Sequence, residues 1–246
     1  MCNLLWDVAS YCVALDSNAH TIPAMTRIKI CCIASEQEAA LAIRYGASAL
    51  GLVSAMPSGP GPISEDDIAR IRRTIPPAVA SFLLTCRQDA DDIIRQLRFT
   101  RCNTIQICDT LDRGSYDDIR AAIPAISIVQ VIHVIDPRSI DQAVQVAPNV
   151  DAILLDSGRP ALAVKELGGT GRVHDWSLSR RIRDAINVPV FLAGGLNAAN
   201  VQEAILQVRP FGVDLCSGVR TNGALDESKL SDFVRAVAVV PSPGTP

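Results

Sequence analysis

Val190-Phe191-Leu192-Ala193-Gly194-Gly195 and, one helix later, Gly212-Val213-Asp214-Leu215-Cys216-Ser217-Gly218 are the stretches that decide how this chain folds. Each is a short apolar run ending in small residues, and residues 198–208 between them carry the apolar spacing of a helix. Where a strand feeds a helix through glycines, the backbone approaches a ligand closely, and the free N–H groups of the helix start point at it. Two such turns one strand apart read as a grip for a phosphorylated ligand at the end of a parallel sheet. A single Gly-Gly pair would read as plain turn chemistry.

The same alternation extends through the chain after Met25. Strands are expected at 28–31, 49–53, 79–84, 104–108, 127–134, 152–155, 190–193 and 212–216, all short runs rich in Ile and Val, as in parallel strands covered on both faces. Helices are expected between and after them. Ser35 with Glu38 forms a capping box before 39–45, with Gly46 as the stop, and Ser64 precedes 65–74, which ends before Pro76-Pro77. Further amphipathic segments lie at 89–99, 116–123, 137–147, 176–186, 198–208 and 227–239. Eight strand–helix units predict an α/β fold of the (βα)8 or TIM-barrel type, a single domain over residues 26–240. An open doubly wound sheet is the alternative, but no Gly-x-Gly-x-x-Gly follows the first strand. Residues 1–25 read as an N-terminal extension, either disordered or a misassigned start, and 241–246 as a polar C-terminal tail.

A chain of 246 residues can bury a sizeable core. Its formal charge of -3, with basic and acidic residues interspersed, offers no patch for nucleic acid or a membrane surface. No apolar stretch approaches the roughly 20 residues of a membrane span. A phosphorylated small molecule is the expected partner, with the protein a monomer or a homodimer. The eight cysteines lack metal-ligand spacing and read as reduced thiols of a cytoplasmic protein.

On a barrel, chemistry belongs to the loops that follow the strands. The two longest are 54–63, rich in Gly and Pro, and 156–174, which carries Gly168-Gly169-Thr170-Gly171 and can act as a lid or supply N–H groups to a phosphate. Few titratable groups stand at strand ends: Cys31 ends strand 1, Asp156 ends strand 6 and Asp214 lies within strand 8. A thiolate and a carboxyl group facing each other across the mouth can divide an isomerisation into base and acid. A buried cysteine is by spacing alone more often inert filler, whereas a charge directly after Leu154-Leu155 needs a reason. His133, at the end of strand 5, and His174 read as substrate contacts or as packed histidines. No set of histidine and acid ligands is present at the strand ends, so no metal is expected.

These residues resemble the phosphoribosylanthranilate isomerase family. The likeness rests on Lys29-Ile30-Cys31, Ile153-Leu154-Leu155-Asp156-Ser157, Gly168-Gly169-Thr170-Gly171 with Asp175-Trp176-Ser177, Leu192-Ala193-Gly194-Gly195-Leu196-Asn197 with Asn200-Val201, and Val213-Asp214 with Ser217-Gly218-Val219. It covers residues 27–238. The resemblance implies an Amadori rearrangement of N-(5-phosphoribosyl)anthranilate to 1-(2-carboxyphenylamino)-1-deoxyribulose 5-phosphate in tryptophan biosynthesis, with no organic cofactor. It implies that Asp156 is the general acid that opens the ribose ring and that Cys31 is the base that takes the C2 proton. Gly169, Thr170, Gly171, Gly194, Gly195, Ser217 and Gly218 would hold the phosphate, Asp214 would sit near Cys31, and Gln106 would join the substrate site.

Three departures from the family pattern stand out. Its Ser-Pro-Arg after strand 2 is replaced by Met56-Pro57-Ser58-Gly59-Pro60-Gly61-Pro62, its Gln-Leu-His-Gly by Gln106-Ile107-Cys108-Asp109, and the glycine after the catalytic cysteine by Cys32. With that arginine gone, Arg220 or His133 is the expected partner of a substrate carboxylate. Two alternative readings remain: the same isomerisation on another phosphorylated aminosugar, and a non-catalytic sugar-phosphate binder. Retention of both Cys31 and Asp156 speaks against the binder.

Overall fold

The computed structural model describes residues 26–169 and 171–240; the extension at 1–25, the tail at 241–246 and Thr170 lie outside the described residues. Eight parallel strands close in chain order into a barrel, each followed by a helix. They are β1 (Arg27–Ile30), β2 (Ala49–Val53), β3 (Ala80–Thr85), β4 (Thr104–Ile107), β5 (Ser127–His133), β6 (Ala152–Asp156), β7 (Val190–Leu192) and β8 (Gly212–Leu215). The helices are α1 (Glu36–Arg44), α2 (Glu65–Arg72), α3 (Ala90–Thr100), α4 (Tyr116–Ala122), α5 (Arg138–Val146), α6 (Trp176–Ala185), α7 (Val201–Val208) and α8 (Glu227–Ala238). The expected barrel is therefore the observed one.

Strand alternation divides the core in two. On β6, Ala152 and Leu154 point into the barrel, while Ile153 and Leu155 pack under the helices. That second layer explains the unbroken apolar runs: both faces of each strand are covered. Phe82, Phe191 and Phe211 stack edge to face at centroid distances of 5.9 and 5.4 Å toward the N-terminal end of the barrel. Bulky rings there leave the space for a ligand at the opposite mouth.

Local chemistry sets the helix starts. Ser35, Ser64, Asp89, Ser115, Asp175 and Asp226 each accept a backbone N–H from the first turn of the helix they precede. At α1 the expected box is altered. Ser35 accepts from Glu38 N, but the Glu38 carboxylate reaches back to accept from Ala34 N at 3.0 Å, one residue past the N-cap N–H of a reciprocal bond. Helix α7 starts later than its apolar spacing suggested, because Asn197 and Asn200 turn the preceding segment on their own side chains. After β8 the chain makes a 3-10 turn over Ser217–Val219 and a small hairpin, β9 (Arg220–Thr221) with β10 (Ala224–Leu225), before α8.

Candidate active site

Cys31, Cys108, Ala193 and Cys216 each lie one residue past the last position of their strands, where side chains still line the mouth and the chain begins to turn. Together with Asp156, Asp214 and the loops after β2, β6, β7 and β8 they line one pocket at the C-terminal mouth. Cys31 and Asp156 are both buried in its wall. Cys31 N donates to Leu215 O at 2.9 Å, which ties the end of β1 to β8. Cys32 then takes φ 62, a left-handed turn that suits glycine far better than cysteine. Asp156 accepts from Ser157 N at 2.7 Å through Oδ1, and its Oδ2 lies so close under Gly168 that a Cβ there would stand 2.6 Å away.

The glycines expected to grip a phosphate converge. A Cβ at Gly195 would meet Gly171 O at 2.9 Å, and one at Gly171 would lie 3.5 Å from Ser217 Oγ. Gly169, Gly171, Gly194, Gly195 and Ser217 line the pocket. Gly194 and Gly195 have φ 86 and 65, open to glycine at no cost. Gly218 lies behind this wall, its α-carbon turned against Leu196 O so tightly that a Cβ would approach to 2.0 Å. Two loops meet over the cavity: Ser58 Oγ donates to Lys165 O at 2.7 Å, and Pro60 packs on Gly169.

Gln106 projects into the same pocket from β4. Its Nε2 donates to Cys108 Sγ at 3.7 Å, but its buried Oε1 has no partner. A buried acceptor left open in a pocket wall is a place for a ligand donor. Burial pushes the Cys108 thiol up, so it stays neutral. Cys32 and Cys216 share a thiol hydrogen bond, which holds Cys216 below the ordinary thiol value and pushes Cys32 up.

Two expectations are corrected. Arg220 is not among the pocket walls. Its two terminal guanidinium nitrogens are taken by Glu38 at 2.9 and 3.0 Å, by Gly223 O, and by the carbonyls of Cys31 and Cys32, and its remaining Nε is buried away from the pocket walls. His133 also lies outside the walls. Its Nε2 faces Cys108 O at 3.1 Å and the ring packs against Gly158. His174 sits behind Gly194, its Nε2 2.7 Å from Ser179 Oγ, and burial lowers its pKa, which keeps it neutral. Among the described residues that line the pocket none is Arg, Lys or His.

The site also contains groups the sequence reading passed over. Lys29, fully buried, donates to Asp214 Oδ1 at 2.8 Å inside the barrel. Burial alone would lower its pKa, but the charge of Asp214 and then of Cys31 outweighs it, and the ammonium is held above its ordinary value. The signal was present: a lysine two residues before Cys31 in an apolar strand shares its inward face. Gly51 left no such signal, yet a Cβ there would stand 2.9 Å from Cys31 Sγ.

The comparisons agree with this geometry. Residues 28–236 match the family model of N-(5'-phosphoribosyl)anthranilate (PRA) isomerase. The chain is 37% identical over 213 residues to N-(5'-phosphoribosyl)anthranilate isomerase of Methanothrix thermoacetophila, covering 87% of this chain and 98% of the relative. The crystal structure of phosphoribosyl anthranilate isomerase from Thermotoga maritima superposes with TM-score 0.73 at 30% identity, covering 87% of this chain and 99% of that one. A phosphoribosyl anthranilate isomerase in complex with reduced 1-(o-carboxyphenylamino)-1-deoxyribulose 5-phosphate superposes with TM-score 0.71 at 28% identity, with the same coverage.

Proposed function

The chain belongs to the N-(5'-phosphoribosyl)anthranilate isomerase family, and from that premise we propose that Asp156 and Cys31 carry out the family's reaction across the barrel mouth. The enzyme is an isomerase of tryptophan biosynthesis that converts N-(5-phosphoribosyl)anthranilate to 1-(2-carboxyphenylamino)-1-deoxyribulose 5-phosphate. The observation that supports these roles best is the presence of a buried carboxyl group and a buried thiol in one pocket, beside a cradle of glycine backbone.

The phosphate is held by Gly169, Gly171, Gly194, Gly195 and Ser217, with Thr170 between the first two. The hydroxyl and backbone groups of the three loops supply the donors, and positive φ at the glycines lets the main chain come close. Asp156 protonates the ribose ring oxygen, the ring opens, and a protonated Schiff base remains at C1. Cys31 as thiolate then removes the proton from C2, giving an enolamine that becomes the ketose. Gln106 Oε1 accepts a hydrogen bond from the substrate, whose amine or a sugar hydroxyl is the available donor. Substrate and product are isomers, and the Schiff base that forms is the substrate's own electron sink, so the two protein groups suffice.

The free cysteines among the described residues fit a cytoplasmic enzyme, active as a monomer or a homodimer on a small phosphorylated substrate. No helix among them is long and apolar enough to cross a membrane.

A second reading is favoured by the lack of a cation in the described pocket wall: the same isomerisation on a phosphorylated aminosugar whose amine carries no carboxylate. Complementation of a tryptophan auxotroph lacking this isomerase, with the parent and with Cys31→Ser and Asp156→Asn, separates the readings. Growth with the parent and none with either variant is expected, and Asp156→Asn should still bind ribose 5-phosphate. Near-parental turnover by Asp156→Asn would show the acid to be misassigned. No growth with the parent, alongside tight ribose phosphate binding, would favour the second reading.

A further inference from the structure

Below Cys31 the barrel interior holds an ion pair to which the steps above assign nothing. Lys29 and Asp214 face each other in the β1–β8 register, with Nζ 2.8 Å from Oδ1 and no exposure of the lysine. Such a pair is a weak source of stability, because the desolvation of two charges cancels much or all of their attraction and an aliphatic pair of similar volume commonly does as well. What distinguishes this pair is its position.

Lys29 and Cys31 are two residues apart on one strand and so share its inward face. On the neighbouring strand, Gly51 leaves the space between them open. The point where its Cβ would stand is 2.9 Å from Cys31 Sγ and 3.2 Å from Lys29 Nζ, so sulfur and nitrogen lie within about 6 Å of each other with no β2 side chain between. The Phe82 ring, 5.1 Å from Nζ, covers the ammonium on the β3 side and excludes water.

We propose that Lys29 is a positioning residue for the base: its ammonium, seated through the gap at Gly51, stabilises the negative charge of the Cys31 thiolate, and Asp214 anchors that ammonium. The proposal rests on the reading of Cys31 as the base. During proton abstraction the C2 proton passes to sulfur, the electron pair stays with the substrate, and Lys29 keeps its proton throughout.

The other charges around the thiol work against the thiolate or act elsewhere. Asp156 from β6 and Asp214 from β8 repel a thiolate, while Cys108 from β4 and its neighbour Cys32 are held as neutral thiols. Cys216 adds negative character, since its own ionisation is favoured. Arg220 reaches the Cys31 carbonyl, not the sulfur. Among the described groups, Lys29 is therefore the cation on the sulfur side.

The test uses the full chain and two variants. Lys29→Met with Asp214→Asn removes both charges at nearly constant volume; Asp214→Asn alone leaves the ammonium without its counter-ion. For each, kcat/KM for phosphoribosylanthranilate and the rate of Cys31 alkylation by iodoacetamide, read on the Cys31 peptide by mass spectrometry, are followed against pH. The double variant should shift the acid limb of kcat/KM and the alkylation midpoint together to higher pH by roughly one unit, and lower both rates near pH 7 about tenfold, with KM changed less than twofold. Asp214→Asn alone removes the anchor, burial then favours the neutral amine, and both should move to higher pH, in the same direction as in the double variant. If folded variants leave both profiles where they were while Cys31→Ser is inactive, Lys29 is structural and the proposal falls. If alkylation moves but the kcat/KM limb does not, Cys31 is not the base, and the proposal falls with that reading.

Discussion

A β-carbon at Gly51 would stand 2.9 Å from Cys31 Sγ and 3.1 Å from Cys31 Cα, closer than packed atoms allow. Either the thiol must rotate or β1 must move, and a nucleophile or base displaced by even 1 Å loses much of its effectiveness. Gly51→Ala should therefore leave the melting temperature within a few degrees of the parent while lowering kcat at least tenfold, with KM little changed; a variant of unchanged kcat would show that the gap is not needed. Nothing in Ala49-Leu50-Gly51-Leu52-Val53 announces this, because the residue matters through a neighbour 20 positions away in the chain. Cys31 and Asp156, in contrast, were legible: each is a titratable group at the end of an apolar run. Arg220 was legible as a cation near the site but not as an engaged one. Its partners come from the end of β1 and the start of α1, some 180 positions away.

Those partners make Arg220 a joint between elements. Glu38 accepts from both terminal guanidinium nitrogens, from Ala34 N and from Leu225 N at 2.8 Å, and so binds the start of α1 to the β9–β10 hairpin. Through the carbonyls of Cys31 and Cys32, the same guanidinium braces the left-handed turn that follows Cys31. Arg220→Ala removes one partner of a largely buried pair. It should lower stability by roughly 2 to 3 kcal/mol in urea denaturation and reduce kcat more than it raises KM. A variant as stable as the parent but with a raised KM for the anthranilate substrate would restore a role in carboxylate binding. At the level of elements the sequence was otherwise a good guide. Eight strands and eight helices stand where apolar runs and caps placed them, most ends shifted by a residue, with α1 beginning three residues earlier, directly after its Ser35 cap, and α2 ending two residues earlier. The late start of α7 and the small hairpin escaped notice because asparagine turns and two-residue strands leave no periodicity to read.

Across the molecule, the barrel mouth is held together by loops that meet only once the barrel has closed. His174, packed behind Gly194, shows how that assembly responds to acid. Burial lowers its pKa below the ordinary 6.5, so the folded state keeps it neutral while the unfolded chain takes up the proton first. Its contribution to stability is thus complete above about pH 6.5 and is lost as pH falls through its lower folded value. Glu38, held below its ordinary 4.5 because its bonds to Arg220, Ala34 and Leu225 outweigh burial, follows at more acid pH with the same sign. Urea midpoints measured from pH 8 to pH 5 should fall with acid, and His174→Gln should flatten that fall; an unchanged slope would assign it to other groups.

By itself the sequence determined the class of this protein. Period and punctuation made eight strand–helix units, glycines after the seventh and eighth marked loops that converge on the mouth, and a thiol and a carboxyl group at strand ends marked titratable groups of its wall. These are local signals, each written within a few residues, and hydrophobic patterning and turn chemistry act over that same range. Only the tertiary structure decided which charges meet: Lys29 with Asp214 beneath the thiol, Arg220 with Glu38 instead of with substrate, and a pocket whose described wall carries no cation. Closure of β8 onto β1 joins residues about 185 positions apart, and electrostatic energy depends on distance in space and on burial, which closure alone sets.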